Sequence, residues 1–284
     1  MSVKMEKSFL RDIIGIYCVL MIFRLIEYFY IRTDETFFGE SFLHKLVGIL
    51  LVGIVLHSLK WKWNKVGFGT FGVLKKVLGG IFLGIFVYSV AYGAEWYFLF
   101  SQGEEPLLEW YAVAYSLTDS PVRQIGPLFF LLCIFMNVIN VIMEEGCFRG
   151  VFLKLGEMKF SSFWKANFLS GTLFGLWHIV MAWRGYIDGG LELNQAIILG
   201  GIAVGSSFLM GLKWGMLANI TGSLWAGMAD HFVNNTIINL LHVETSGGSD
   251  EFLMLRISIA QTLSFVIILI FYLKKSKKKS LFKN

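Results

Sequence analysis

The chain has 284 residues, 56% of them hydrophobic and only 16% charged, with a formal net charge of +5 and a mean hydropathy of +0.64. A soluble domain carries about a quarter charged residues, so a soluble globular fold is excluded. The apolar runs are continuous rather than alternating, which excludes a transmembrane barrel. What remains is an all-α bundle in lipid, each crossing taking roughly 20 helical residues.

Taken in chain order, the runs predict about eight spanning helices, near Phe9–Tyr30, Leu43–Leu59, Val77–Phe100, Pro127–Leu155, Trp164–Trp183, Gln195–Leu212, Trp214–Leu241 and Leu253–Leu273. The first follows Lys4, Lys7 and Arg11, as a signal peptide would. No small-residue cleavage site comes after it, and the run continues into Arg24 and Glu27, so it reads as a retained span. Neither end carries a lipidation signal. Trp61, Trp63, Trp110, Trp164, Trp183 and Trp214 fall near predicted helix ends, where an aromatic belt would sit.

Cations set the expected orientation. With the N-terminus inside, eighteen Lys and Arg lie on that side: Lys4, Lys7, Arg11, Lys60, Lys62, Lys65, Lys75, Lys76, Lys154, Lys159, Lys165, Lys213 and six from Lys274 to Lys283. Only Arg32, Arg123 and Arg184 lie opposite, where Glu104, Glu105, Glu109, Asp119, Glu244, Asp250 and Glu251 gather. Both termini are expected to be cytoplasmic, with the KKSKKK tail serving as a topology determinant. The connection from Gln102 to Gln124 reads either as a surface segment gating access or as a plain connector. Gly171-x-x-x-Gly175 and Gly201-x-x-x-Gly205 are spacings that let helices approach closely in lipid. Cys18, Cys133 and Cys147 all lie in apolar segments and suggest no disulfides. Cys147 stands near two glutamates, but nothing nearby would stabilise a thiolate, so it reads as a small buried filler.

A charge at mid-bilayer costs about 2.5–3.5 kcal/mol, so embedded ionisable groups are the functional candidates. The fourth run contains Asn137, Asn140, Glu144, Glu145 and Arg149. Glu145 and Arg149 stand four apart, in the favourable acid-before-base order for a helical pair. Glu144 projects about 100° away, on the face of Asn137, Asn140 and Phe148. A structural ion-pair cluster would explain one Glu-Arg pair; a second Glu without an evident partner fits general acid-base work better. The fifth run contains Phe174 and His178, and the seventh contains Asp230, His231, Asn234 and Asn235. Three helices carrying groups that lipid rejects are expected to converge on one hydrated cavity. That requires the fourth helix to continue past Glu144 through Phe152. Among other embedded charges, Arg24 and Glu27 could pair at three-residue spacing. Lys45, Glu95 and Arg256 are expected to snorkel or pair between helices. His44, His57 and His242 are expected at the interface.

Glu144-Glu145-Gly-Cys-Phe-Arg149, Phe174-Gly-Leu-Trp-His178 and His231-Phe-Val-Asn234-Asn235, each on its own helix and in this order, resemble the CPBP family. That family includes type II CAAX prenyl endopeptidases and bacterial proteins linked to bacteriocin processing and self-immunity. The resemblance runs from about Pro127 to Leu241. It divides the chain into N-terminal helices (1–124), a catalytic core (125–243) and a last helix with a basic tail (244–284). It implies hydrolysis of a peptide bond within the membrane. Carried over by position, Glu144 with His178 would activate water, Glu145 with Arg149 would hold the site together, and His231 with Asn235 would donate to the oxyanion. Asn234 competes with Asn235 for the last role. Glu144, His178 and His231 could instead ligate zinc, with water in the fourth position. There is no HExxH, and a metal-free glutamate mechanism explains the same residues and is preferred. The partners implied are a peptide or membrane-protein substrate and the bilayer, with no nucleic acid; the oligomeric state stays open. A non-catalytic immunity or binding protein keeping the fold is the alternative. A transporter would show inverted repeats or matched Gly/Pro breaks, and none is present. A bacterial setting is expected, because no eukaryotic targeting signal is found.

Overall fold

A computed structural model of the chain describes residues 3–113, 123–245 and 250–281. Asp119 of the Gln102–Gln124 connection and Lys283 of the tail lie outside the described residues. Among the described residues, ten α-helices and one pair of short strands follow in order: α1 Val3–Ile26, α2 Leu43–Ser58, α3 Val73–Ser101, β1 Leu107–Trp110, α4 Pro127–Glu144, α5 Leu153–Phe160, α6 Phe163–Trp177, α7 Ile179–Ile187, α8 Leu193–Thr221, α9 Trp225–Leu240, β2 Leu241–Glu244 and α10 Leu253–Leu281. Between α4 and α5 the chain stays helical through a wide π turn, Glu145–Phe152, so the helix does continue past Glu144. The fold is all-α. The helices Val73–Ser101, Pro127–Phe160, Leu193–Thr221 and Leu253–Lys277 are long and apolar enough to cross a membrane; Leu43–Ser58 is a shorter apolar helix. Large apolar side chains such as Phe82, Leu131 and Ile197 point outward, as they do when lipid rather than water is the surrounding medium.

Because lipid is as apolar as the side chains it replaces, close packing has to hold such helices together. Gly171 and Gly175 on α6 serve this end. A Cβ on Gly175 would stand 2.6 Å from the Val204 carbonyl oxygen, and one on Gly171 3.3 Å from that of Phe208, both on α8. Gly84 does the same for α3, lying under Val233 of α9. The second spacing behaves otherwise: Gly201 and Gly205 have nothing within reach of an added Cβ. Both glycines are exposed on α8.

Several expectations are corrected. The predicted break between Leu212 and Trp214 does not exist; α8 runs through both residues, and the turn falls at Gly222, whose φ of 65° suits glycine. Lys213 is therefore no loop cation but a fully buried side chain 2.7 Å from Asp230. Trp214 is likewise fully buried rather than at an interface. The fifth predicted span is interrupted at His178, which separates α6 from α7. Arg24 and Glu27 do not pair. Glu27 accepts from Thr33 Oγ1, from the backbone N–H groups of Leu43 (2.9 Å) and His44 (2.5 Å), and faces His44 Nδ1 at 2.5 Å. His44 and His242 are buried, and only His57 is exposed. Glu95 and Arg256 pair between α3 and α10 at 2.5 Å, and Lys45 pairs with Glu40 at 2.7 Å.

The Gln102–Gln124 connection holds a strand. β1 pairs antiparallel with β2, Leu107 opposite Glu244 and Trp110 opposite Leu241, tying the end of α3 to the end of α9. Leu107, Leu108 and Trp110 remain exposed.

Candidate active site

Glu144 ends α4 and Glu145 opens the π turn, so neighbouring residues depart from one helix in different directions. Both are buried, at 3% and 0% exposure. Glu145 Oε1 lies 3.3 Å from Arg149 Nη1, the i,i+4 pair foreseen from spacing. Arg149 is buried too, its guanidinium 3.9 Å from the Phe174 ring centroid and 5.1 Å from that of Trp214. A planar cation laid on aromatic faces is held by their electron density.

Glu144 has one partner that the sequence did not disclose, Trp177, and one that it did, Asn140. Trp177 Nε1 donates to its Oε1 at 3.0 Å, and Asn140 Nδ2 approaches its Oε2 at 3.4 Å. The Asn140 contact follows from their shared face. Asn137 turns instead toward Thr236 and Cys133.

His231 on α9 bridges the two carboxylates. Its Nδ1 lies 3.0 Å from Glu145 Oε1 and its Nε2 lies 3.5 Å from Glu144 Oε2. Trp214 covers its face, the rings 3.8 Å apart and 16° from parallel, and is itself fixed by Nε1 donating to Asp230 Oδ2 at 2.7 Å.

His178 occupies the break after α6. Its Nδ1 is 2.8 Å from the Phe174 carbonyl oxygen. A carbonyl only accepts, so Nδ1 carries the N–H and the neutral ring keeps its lone pair on Nε2. The Phe174 ring stands edge-on between the two imidazoles, 4.7 Å from His178 and 6.2 Å from His231. His178 is half-buried, unlike the carboxylates.

The two candidate amides differ. Asn234 is buried, with its oxygen accepting from Tyr88 Oη at 2.6 Å and Gln261 Nε2 at 2.5 Å, and its nitrogen donating to Asn235 Oδ1 at 2.8 Å. Asn235 is half-buried one turn beyond His231. Cys147 is buried against the Gly48 carbonyl, 3.8 Å away, as a filler would be.

Among the described residues, no three His, Cys, Asp or Glu side chains come together in an arrangement that could hold a metal ion. With Nδ1 of His178 on the Phe174 carbonyl and Nδ1 of His231 beside Glu145, Nε2 is the ring atom each histidine would offer to a metal.

Trp177, Trp214, Asp230 and Lys213 are the site neighbours that sequence reasoning did not place. Asp230 and Lys213 each offered a signal, a charge inside or beside an apolar run, but the misplaced boundary at residue 213 put Lys213 in a loop.

A family model described as type II CAAX prenyl endopeptidase Rce1-like matches residues 126–237. No curated protein and no solved structure matches the chain. The matched stretch contains Glu144, Glu145, Arg149, His178, His231 and Asn235, and the family is one of proteases. Residues 126–237 are thus similar to the type II CAAX prenyl endopeptidase Rce1-like family, in a chain whose described residues include four helices long and apolar enough to cross a membrane.

Proposed function

We propose that the chain is an intramembrane endopeptidase that hydrolyses a peptide bond in a membrane-associated peptide or protein. The observation that carries this reading is the approach of Glu144 and His231, from separate helices, to 3.5 Å in a buried setting within the Rce1-like stretch. Two acid-base groups held together in the interior of a bundle fit chemistry better than cohesion.

In the proposed mechanism Glu144 takes a proton from a water molecule, whose second hydrogen is accepted by His178 Nε2. The water oxygen bonds to the scissile carbonyl carbon and the carbonyl oxygen takes up the electron pair. Hydrogen bonds from Asn235 Nδ2 and from Nε2 of His231 in its imidazolium form, whose Nδ1 donates to Glu145, stabilise that oxyanion, a contribution of roughly 2.7–4 kcal/mol per donor. When the intermediate collapses, the C–N bond breaks and Glu144 returns the proton to the leaving amine. Glu145 and Arg149 keep His231 in place. The half-buried His178 and Asn235 mark the side from which water and peptide reach Glu144. Because the glutamate activates water directly, cleavage is expected to survive chelation; metal content and rate measured together before and after chelation test this. The remaining loop and tail cations, without Lys213, support a topology with both termini in the cytoplasm. A bacterial peptide-maturation or immunity role supplies the substrate class preferred here.

The deciding experiment is cleavage of a quenched peptide library by the purified protein in nanodiscs, beside Glu144→Ala and His178→Ala. Cleavage lost in both folded variants supports the reading. Equal cleavage by all three identifies a contaminant and removes it.

A further inference from the structure

Behind Asn235 a line of amides runs out to a buried ion pair. Lys213 Nζ lies 2.7 Å from Asp230 Oδ2 and 2.8 Å from Gln261 Oε1. An ammonium only donates, so Gln261 must turn its oxygen toward Lys213 and its nitrogen away. That nitrogen donates to Asn234 Oδ1 at 2.5 Å, where Tyr88 Oη also approaches at 2.6 Å. With its oxygen occupied, Asn234 can offer Asn235 only its nitrogen, which donates to Asn235 Oδ1 at 2.8 Å. The Asn235 oxygen is then taken, and its NH2 is the end left to face a substrate. Each step follows from which atoms can donate, and the direction of the whole chain is set at Lys213. Reversing any one amide would set two donors or two acceptors face to face, a loss of about 1–3 kcal/mol for each buried group left unmatched.

We propose that Lys213, Gln261 and Tyr88 are positioning residues that fix the direction of this amide chain and so present Asn235 Nδ2, not its oxygen, to the reacting carbonyl. The inference rests on the peptidase reading of the site. It assigns work to helices outside the matched stretch of residues 126–237, since Tyr88 belongs to α3 and Gln261 to α10. The same ion pair reaches His231 by a second route, because Asp230 also accepts from Trp214 Nε1, and Trp214 stacks on that imidazole.

The test uses the full chain in nanodiscs and three variants. Gln261→Leu removes the link. Gln261→Glu keeps the size and the contact to Lys213 but cannot donate to Asn234. Asn234→Asp accepts from Gln261 and Tyr88 but cannot donate to Asn235. All three are expected to lower kcat roughly 10-fold to 100-fold with KM changed by less than about 2-fold, the pattern of an interaction made only in the transition state. Wild-type kcat in all three overturns the inference while the peptidase reading stands. Loss in Gln261→Leu with full activity in Gln261→Glu also overturns it, because packing alone would then explain the glutamine. A double-mutant cycle in thermal unfolding, Gln261→Leu with Asn234→Ala, reads the link without any cleavage. Coupling supports the chain and additivity overturns it. A wild-type protein that shows this coupling yet cleaves nothing would instead sink the peptidase reading.

Discussion

Trp214 lies flat against His231, ring centroids 3.8 Å apart, while its indole nitrogen is bonded to the residue just before that histidine, Asp230. The imidazole therefore has one face closed by an aromatic surface and both nitrogens beside carboxylates. Its orientation is fixed before any substrate arrives. Trp214→Ala is expected to cost about 3–5 kcal/mol, as when a large aromatic leaves a packed interior, and to lower cleavage as His231 gains freedom. Trp214→Phe keeps a ring over the imidazole and loses only the bond to Asp230, so it should retain more of both. Melting temperature in detergent and cleavage rate, measured on the same preparations, check this.

The adjacent glutamates should respond differently to the same change. Glu144→Gln is expected to abolish cleavage with little loss of stability, since Trp177 can still donate to the amide oxygen. Glu145→Gln leaves Arg149 buried without its anion, and removing one member of a buried pair costs about 3–5 kcal/mol. A Glu145→Gln protein melting as high as wild type would contradict this division of roles.

Glu27 closes the start of α2 from a distance. Phe42, the residue before that helix, offers no side-chain cap, and the Glu27 carboxylate accepts from Leu43 and His44 in its place. Glu27→Ala strands those buried donors, at about 1–3 kcal/mol each. A clear fall in melting temperature is expected, and a wild-type value would show that water replaces the carboxylate.

The two small-residue spacings give a matched pair of tests. Gly175→Ala drives a methyl against the Val204 carbonyl and should cost about 1–3 kcal/mol by overpacking. Gly201→Ala meets nothing and should be neutral. Equal effects on melting temperature would mean that the contact between α6 and α8 is not what the first spacing provides.

The helical class was legible because mid-bilayer helices are written in continuous apolar runs, and the pairing of Glu145 with Arg149 because four-residue spacing fixes it. The approach of Asn140 to Glu144 followed from the same periodicity. Lys213 was misread for a physical reason: a lysine flanked by apolar runs looks like a loop cation until its partner is known, and Asp230 is seventeen residues on. Glu27 was misassigned to Arg24 because local spacing says nothing about backbone N–H groups arriving from the next helix. The break at His178 has no Pro to announce it, and Gly175 before it reads as a packing residue. Neither β1 nor β2 could be seen, since four residues pairing across more than a hundred leave no periodic trace.

The π turn at Glu145–Phe152 closes its rings from residue i to i+5, where the α-helix on either side closes from i to i+4. It therefore carries an extra residue's worth of phase, roughly 100° of rotation, between the half of the helix bearing Glu144 and the half bearing Leu153 and Leu155. The two halves can face different neighbours although their axis is shared. Deleting a single residue within the turn would let ordinary helical winding run straight through, at the price of swinging one half out of register with everything it touches. The segment is better understood as two helices spliced out of step than as one long helix, with the carboxylates placed at the splice.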